Sequence, residues 1–221
     1  MIKLIIFDLD DTLYDERDFV IGGFKDVCKY LSLKYLDDYD LLMEEILNIL
    51  NKDGRGKIFN VLCENHDYNE DIKKLVRIYR QAKPKLKLYD DSRYTLSKLK
   101  GKYKLGIITD GLAAVQWNKI KLLNIENFFD KIIVTDDLGK DFSKPSEVPY
   151  MKMLEYFNLN AEDSVYIGDN PHKDFIGARK VGMNTVRIIR EHGDHKNDRL
   201  NLDYEADCEI HNLNELMMTL K

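Results

Sequence analysis

Asp8 and Asp10 close a short apolar run at the start of the chain, in MIKLIIFDLDDTLY. Side chains two apart in an extended segment share a direction, so the two carboxylates are expected to project together from the end of a strand over Leu4 to Phe7, with Leu9 and Asp11 pointing away. Two such charges about 4 Å apart, at an effective dielectric near about 20, repel by roughly 4 kcal/mol; the pair calls for a cation, a shared proton or intervening water. The same residue types also make a solvated turn followed by a helix cap, and this stretch alone leaves both readings open.

Further polar residues recur at the ends of apolar runs. Thr109 ends LGIIT, Lys144 sits in the loop after IIV at 132–134, and Asp169 and Asp174 belong to GDNPHKD after SVYI. Several carboxylates, one lysine and one hydroxyl suit a hard cation beside an anion. Oxygen ligands favour Mg²⁺ over zinc or copper, and a phosphate group satisfies both needs.

The elements that must hold these residues follow from periodicity. Leu4 to Phe7 has almost no polar position, as a strand covered on both faces requires. From Tyr14 to about Lys83 the pattern is helical, with apolar spacings of three and four over Phe19–Leu33, Leu41–Leu50 and Ile72–Tyr79. Asp40 and Asn69 stand where helix caps are expected, and Gly54 and Gly56 punctuate the middle. Residues 15–83 therefore read as an all-helical insertion, and residues 1–14 with 84–221 as an α/β core. In the core, helices over Asp91–Leu99, Ala113–Leu123, Ser146–Phe157 and around Ile176 alternate with strands ending at Thr109, Val134, Asp169 and Ile189, before a short strand near Cys208 and a helix over 213–220. The expected architecture is a doubly wound, Rossmann-like parallel sheet of order 3-2-1-4-5-6 with right-handed crossovers; such sheets bind ligands beyond the strands' carboxyl ends. That order sets the Asp8 strand beside the Val165 strand and brings Asp169 towards Asp8.

Composition excludes several classes. A chain of 221 residues, 44% hydrophobic and 33% charged, builds a globular core with room for an insertion. A net charge of −5 with scattered lysines argues against nucleic acid as partner. Cys28, Cys63 and Cys208 are widely spaced, odd in number and without a CxxC pair, so reduced core residues are expected instead of disulfides or a zinc knuckle. Four apolar residues before Asp8 are too few for a signal-peptide core, and no run approaches the ~20 apolar residues of a membrane span. No membrane association and a cytoplasmic location are the expectations; oligomeric state is not legible.

Together, DLDDT, the strand ending in Thr109, Lys144-Pro145 and GDNPHKD resemble the haloacid dehalogenase superfamily, across the whole core and in that family's order. What the resemblance implies is a Mg²⁺-dependent phosphatase whose helical insertion is a cap that chooses substrates. Asp8 would be the nucleophile forming an aspartyl-phosphate, and Asp10 the group that protonates the departing alkoxide and later activates water. Mg²⁺ would take oxygens from Asp8 and Asp169 and the backbone carbonyl of Asp10. Thr109, Asp110 and Lys144 match phosphate-holding positions, while Asp174 would act through water or by steadying Lys144. Free amides of the helix after Gly111 are further candidates for phosphate. Asp110 replaces the asparagine of many relatives, and SKPSEVPY departs from the commoner KPDP run. The carboxylate at position 10 argues against dehalogenation. A small phosphorylated metabolite is the expected partner: a sugar phosphate, a nucleoside monophosphate or a phosphoglycolate-like compound. The alternatives are a phosphomutase, a phosphonatase with an imine-forming lysine, and a phosphate-binding regulatory module without turnover.

Weaker signals carry bland readings beside functional ones. Gly54-Arg55-Gly56-Lys57 is a mobile basic loop closing on substrate or an ordinary helix connection, and its spacing is not that of a P-loop. His192, Asp194 and His195 read as a polar surface loop in preference to a metal site. Trp117 reads as packing.

Overall fold

The computed structural model describes residues 1–219. Strand β1, Leu4–Phe7, is wholly buried, as its unbroken apolar sequence requires. The chain then forms four helices: α1 (Glu16–Tyr35), α2 (Tyr39–Asp53), α3 (Ile58–Asn65) and α4 (Ile72–Gln81). It continues through α5 (Asp90–Leu99), β2 (Lys104–Thr109), α6 (Ala113–Leu123), β3 (Lys131–Val134), α7 (Val148–Phe157), β4 (Ser164–Gly168), α8 (Phe175–Lys180), β5 (Asn184–Ile188), β6 (Cys208–Ile210) and α9 (Leu216–Thr219), with short 3₁₀ turns between. Leu220, the last residue expected in the closing helix, lies outside the described residues.

Two compact units divide the chain, Met1–Glu16 with Leu86–Lys221 and, separately, Arg17–Lys85. The first holds a six-stranded sheet of order β3-β2-β1-β4-β5-β6, the order expected from sequence. Every pairing is parallel; Phe7 at the end of β1 faces Ile107 of β2 and Ile167 of β4. Leu4, Ile6, Ile108 and Tyr166 pack with Tyr150 and Met153 of α7 and Phe175 of α8 in one apolar cluster. Burying a large apolar side chain contributes about 1.5–3 kcal/mol. β1 and its two neighbours are thereby fixed, and with them the loops at their carboxyl ends.

The helical unit has its own core, built on Val20, Phe24, Val27 and Leu31 of α1, Leu42 and Ile46 of α2, Leu62 of α3 and Leu75 of α4. Gly23 lets α1 approach α4 closely, since a Cβ there would lie 2.7 Å from Cε2 of Tyr79. The caps are not the residues expected. Asp38, not Asp40, accepts from the amides of Asp40 and Leu41 to cap α2, and Asp71, not Asn69, accepts from Lys73 to cap α4. A cap side chain must reach amides two or three residues ahead, and the helices begin at Tyr39 and Ile72. Cys28 and Cys63 are buried, Cys208 is partly buried, and all three are free. No helix among the described residues is long and apolar enough to cross a membrane.

Candidate active site

Asp8 still belongs to the sheet, because its amide donates to the carbonyl of Ile167 at 2.8 Å. The chain turns immediately afterwards, with Asp11 at φ +50°, so the extended alternation that would align Asp8 with Asp10 stops short of Asp10. The two carboxylates consequently find different partners. Asp8 meets Lys144; Asp10 meets Lys119. Of the cation, shared proton or water weighed for the pair, each side chain takes a cation of its own, a lysine ammonium.

Lys144 comes from the loop between β3 and α7. Its ammonium lies 2.7 Å from Asp174 Oδ1, 2.9 Å from Asp8 Oδ1 and 2.9 Å from the hydroxyl of Tyr166, and its side chain is completely buried. Asp174 keeps its second oxygen for the amide of Asn170 at 2.9 Å. Its close approach depends on Gly168, where a Cβ would lie 2.6 Å from the Asp174 carboxyl carbon. Asp169 follows β4 directly, and oxygens of Asp8, Asp169 and Asp174 lie within 4.8 Å of one another, all buried. Lys144 in contact and Lys173 behind it are two cations against three acids. Burial first, then the charge of Asp174, push Asp8 up to about 6 against the pull of Lys144. Burial, then Asp174 and Asp8, push Asp169 well above the ordinary carboxylate range. Asp174 is held below that range because Lys144, and behind it Lys173, outweigh its burial. Lys144 approaches Asp8 off the hydrogen-bonding direction, leaving Asp8 Oδ1 a buried oxygen without a donor.

Asp10 accepts at both oxygens. The Lys119 ammonium lies 2.8 and 2.9 Å from them, the Tyr14 hydroxyl donates to Oδ1 at 2.6 Å, and the Gln116 amide donates to Oδ2 at 3.0 Å. Burial opposes ionisation, yet Lys119 and these hydrogen bonds hold the Asp10 carboxyl below its usual range. Gln116 also donates to Thr109 Oγ1 at 2.7 Å, an arrangement that leaves the threonine proton for an incoming oxygen. Asp110 accepts from Thr135 Oγ1 at 2.7 Å and from the amide of Lys144 at 3.1 Å, so its side chain ties the Lys144 loop to the end of β2. The first amide of α6, at Ala113, donates to Asp136 at 2.8 Å and is not free for a phosphate.

Asp8, Thr109, Asp110, Lys144, Asp169 and Asp174 thus surround the carboxyl ends of β1, β2 and β4, and Asp10 joins them through Gln116. Sequence reasoning did not single out Lys119, Gln116, Tyr14 or Tyr166. Gln116 and Lys119 share the buried side of α6 with Ile120 and Leu123, and polar residues at those spacings are the signal that would have found them. His195 pairs with Asp198 at 2.8 Å and Asn170 at 2.8 Å, while His172 reaches the same Asp198 at 3.0 Å. The carbonyl oxygen of Asn170 accepts from the amide of His172 at 2.9 Å, which links the two histidines through Asn170 as well as through Asp198. That is a hydrogen-bond chain and not the ligand set of His192, Asp194 and His195 weighed from sequence. Trp117 is half-buried, and its indole N–H donates to Asp137 at 2.8 Å. In the helical unit, Arg55 lines a cavity of about 340 Å³ with Phe24, Phe59, Tyr79 and Arg80.

A family model described as haloacid dehalogenase-like hydrolase matches residues 5–188. The chain belongs to the haloacid dehalogenase-like hydrolases. Among its relatives in this family, the glyceraldehyde 3-phosphate phosphatase of Methanocaldococcus jannaschii is 35% identical, with 100% of this chain and 98% of the relative covered. The glyceraldehyde 3-phosphate phosphatase of Pyrococcus furiosus is 32% identical over 100% of this chain and 93% of its own length. A crystal structure of a HAD phosphatase from Thermococcus onnurineus superposes with a TM-score of 0.65 at 30% identity, covering 99% of this chain and 98% of that one.

The site of this haloacid dehalogenase-like hydrolase fits the divalent cation that the family implies. Its donors are hard carboxylate oxygens, already convergent and short of positive charge, and Asp8 Oδ1 has no hydrogen bond to lose. Asp174 is engaged by Lys144 and Asn170 at its two oxygens, which leaves Asp8 and Asp169 as the carboxylates that would hold the ion.

Proposed function

We propose that this chain is a phosphatase for a small phosphomonoester of the triose-phosphate kind, and that it works through a phosphorylated Asp8. The observation that carries the reading is the gathering of Asp8, Lys144, Asp169 and Asp174 at one end of the sheet in a chain 35% identical over its full length to a glyceraldehyde 3-phosphate phosphatase.

In the first step an oxygen of Asp8 attacks phosphorus and the bond to the substrate's ester oxygen breaks, with Asp10 supplying a proton to that oxygen. Lys144 and the Thr109 hydroxyl hold the phosphoryl oxygens as negative charge spreads over them. In the second step Asp10 takes a proton from water, and the water oxygen displaces Asp8 from phosphorus. The proton gained there is the one given to the next substrate. Mg²⁺ held by Asp8 and Asp169, with the backbone carbonyl of Asp10, would neutralise charge between the attacking carboxylate and the phosphate. Asp174 steadies Lys144, and Asp110 sets the loop that carries it. The helical unit, as a cap, would choose among substrates.

A panel of phosphorylated metabolites assayed for released phosphate, with Mg²⁺ and after chelation, tests the reading. Glyceraldehyde 3-phosphate should lead the panel, activity should vanish on chelation and return with Mg²⁺, and Asp8→Asn should lie at least a hundredfold below wild type. Full activity in verified metal-free protein, or in Asp8→Asn, would overturn it.

A further inference from the structure

Asp10 is held by more than a proton-transfer group needs for solubility or folding. Lys119 is a lysine on the core-facing side of α6, with its side chain 4% exposed, where an aliphatic residue would pack without desolvating a charge. Its ammonium touches both Asp10 oxygens, at 2.8 and 2.9 Å, and Glu16 at 3.3 Å. An ammonium that bridges both oxygens opposes rotation of the carboxylate, and Tyr14 pins Oδ1 from a second direction. Gln116, one helical turn before Lys119, supplies a third restraint of a different kind. Its single NH₂ group spans Asp10 Oδ2 at 3.0 Å and Thr109 Oγ1 at 2.7 Å. The group assigned to move the proton and the hydroxyl assigned to hold the phosphoryl oxygen are therefore joined by one side chain. An ion pair serving stability alone would neutralise Asp10 without tying it to Thr109.

We propose that Lys119 and Gln116 are positioning residues for proton transfer, holding the Asp10 carboxylate at a fixed setting relative to the phosphoryl group that Thr109 receives. The inference rests on the reading of Asp10 as the proton-transfer group. Its consequence is selective. Misplacing a proton donor slows departure of an alkoxide, which needs a proton, far more than departure of a nitrophenolate, which does not. A residue that merely supports the fold slows both alike.

The test measures single-turnover rates for glycerol phosphate and p-nitrophenyl phosphate with the full chain and Mg²⁺, in Lys119→Met, Lys119→Arg and Gln116→Met, with Asp10→Ala alongside. In Lys119→Met and Gln116→Met the alkyl rate should fall about tenfold or more relative to the aryl rate, part of the larger loss expected when the group itself is removed. Lys119→Arg, which keeps charge and reach, should recover much of the ratio. If Lys119→Met fails to fold by circular dichroism, Gln116→Met decides, since it leaves the ion pair in place. Equal slowing of the two substrates in folded variants, or no slowing, overturns the proposal while Asp10→Ala remains selective. An unselective Asp10→Ala overturns the reading beneath it as well.

Discussion

Lys144, with Lys173 behind it, faces three buried acids, and that shortfall of positive charge governs the site. A divalent cation bound by Asp8 and Asp169 would relieve it, so Mg²⁺ should stabilise the folded chain by mass action whether or not substrate is present. Saturating Mg²⁺ at about a hundred times its dissociation constant adds about 2.7 kcal/mol, and for a chain of this size each kcal/mol is worth about 2–4 °C in melting temperature. Calorimetry should show that rise in wild type and little of it in Asp169→Asn; equal rises in both would remove Asp169 from the ion's ligands. At this scale much of the site was legible. Asp8, Thr109, Lys144 and Asp169 each follow an apolar run, and the order of the runs is a family pattern. Lys119 and Gln116 stand at helical spacing with Ile120 and Leu123, which marks their side as buried, but that they meet Asp10 there depends on the fold and leaves no trace in the spacing.

At the scale of elements, doubly covered strands announce themselves by continuous apolar sequence, alternation with helices implied a parallel sheet, and its order was taken from the doubly wound, Rossmann-like fold that such alternation suggests. Helix starts were less legible. Both Asp38 and Asp40 are plausible caps by type, and only the path of the backbone decides between them. Long-range clasps leave no local trace. Arg190, just past β5, donates to the carbonyl of Thr12 at 2.7 Å and to Asp91 at 2.7 Å, and stacks over the ring of Tyr89, fastening the loop after β1 to the start of α5. Removing it leaves Asp91 a buried carboxylate without its cation, a change that costs about 3–5 kcal/mol in comparable pairs. Urea denaturation of Arg190→Ala should show a loss of that order; a loss under about 0.5 kcal/mol, the range of ordinary surface changes, would mean that the clasp does not stabilise the chain.

For the whole molecule, among the described residues one hydrophobic cluster packs against the sheet and another lies among α1 to α4. The helical unit runs Arg17–Lys85, two residues later at each end than the sequence boundary of 15–83. Motifs specify the end of the substrate that carries phosphorus, since that chemistry demands particular residues at strand ends. The remainder of a substrate is read by side chains with no fixed spacing, which is why triose phosphate entered only through relatives and not through any residue pattern. The central claim concerns the phosphoryl end, that Asp8 accepts it covalently. Asp10→Ala makes that claim directly observable, because nitrophenolate leaves without a proton whereas breakdown of the intermediate lacks its base. Mixed with p-nitrophenyl phosphate and Mg²⁺ and quenched rapidly, this variant should release up to one nitrophenol per active site and then nearly stall, with intact-mass and peptide analysis placing one phosphoryl group on Asp8. Stoichiometric nitrophenol with unmodified protein, or with the phosphoryl group on any other residue, would contradict it.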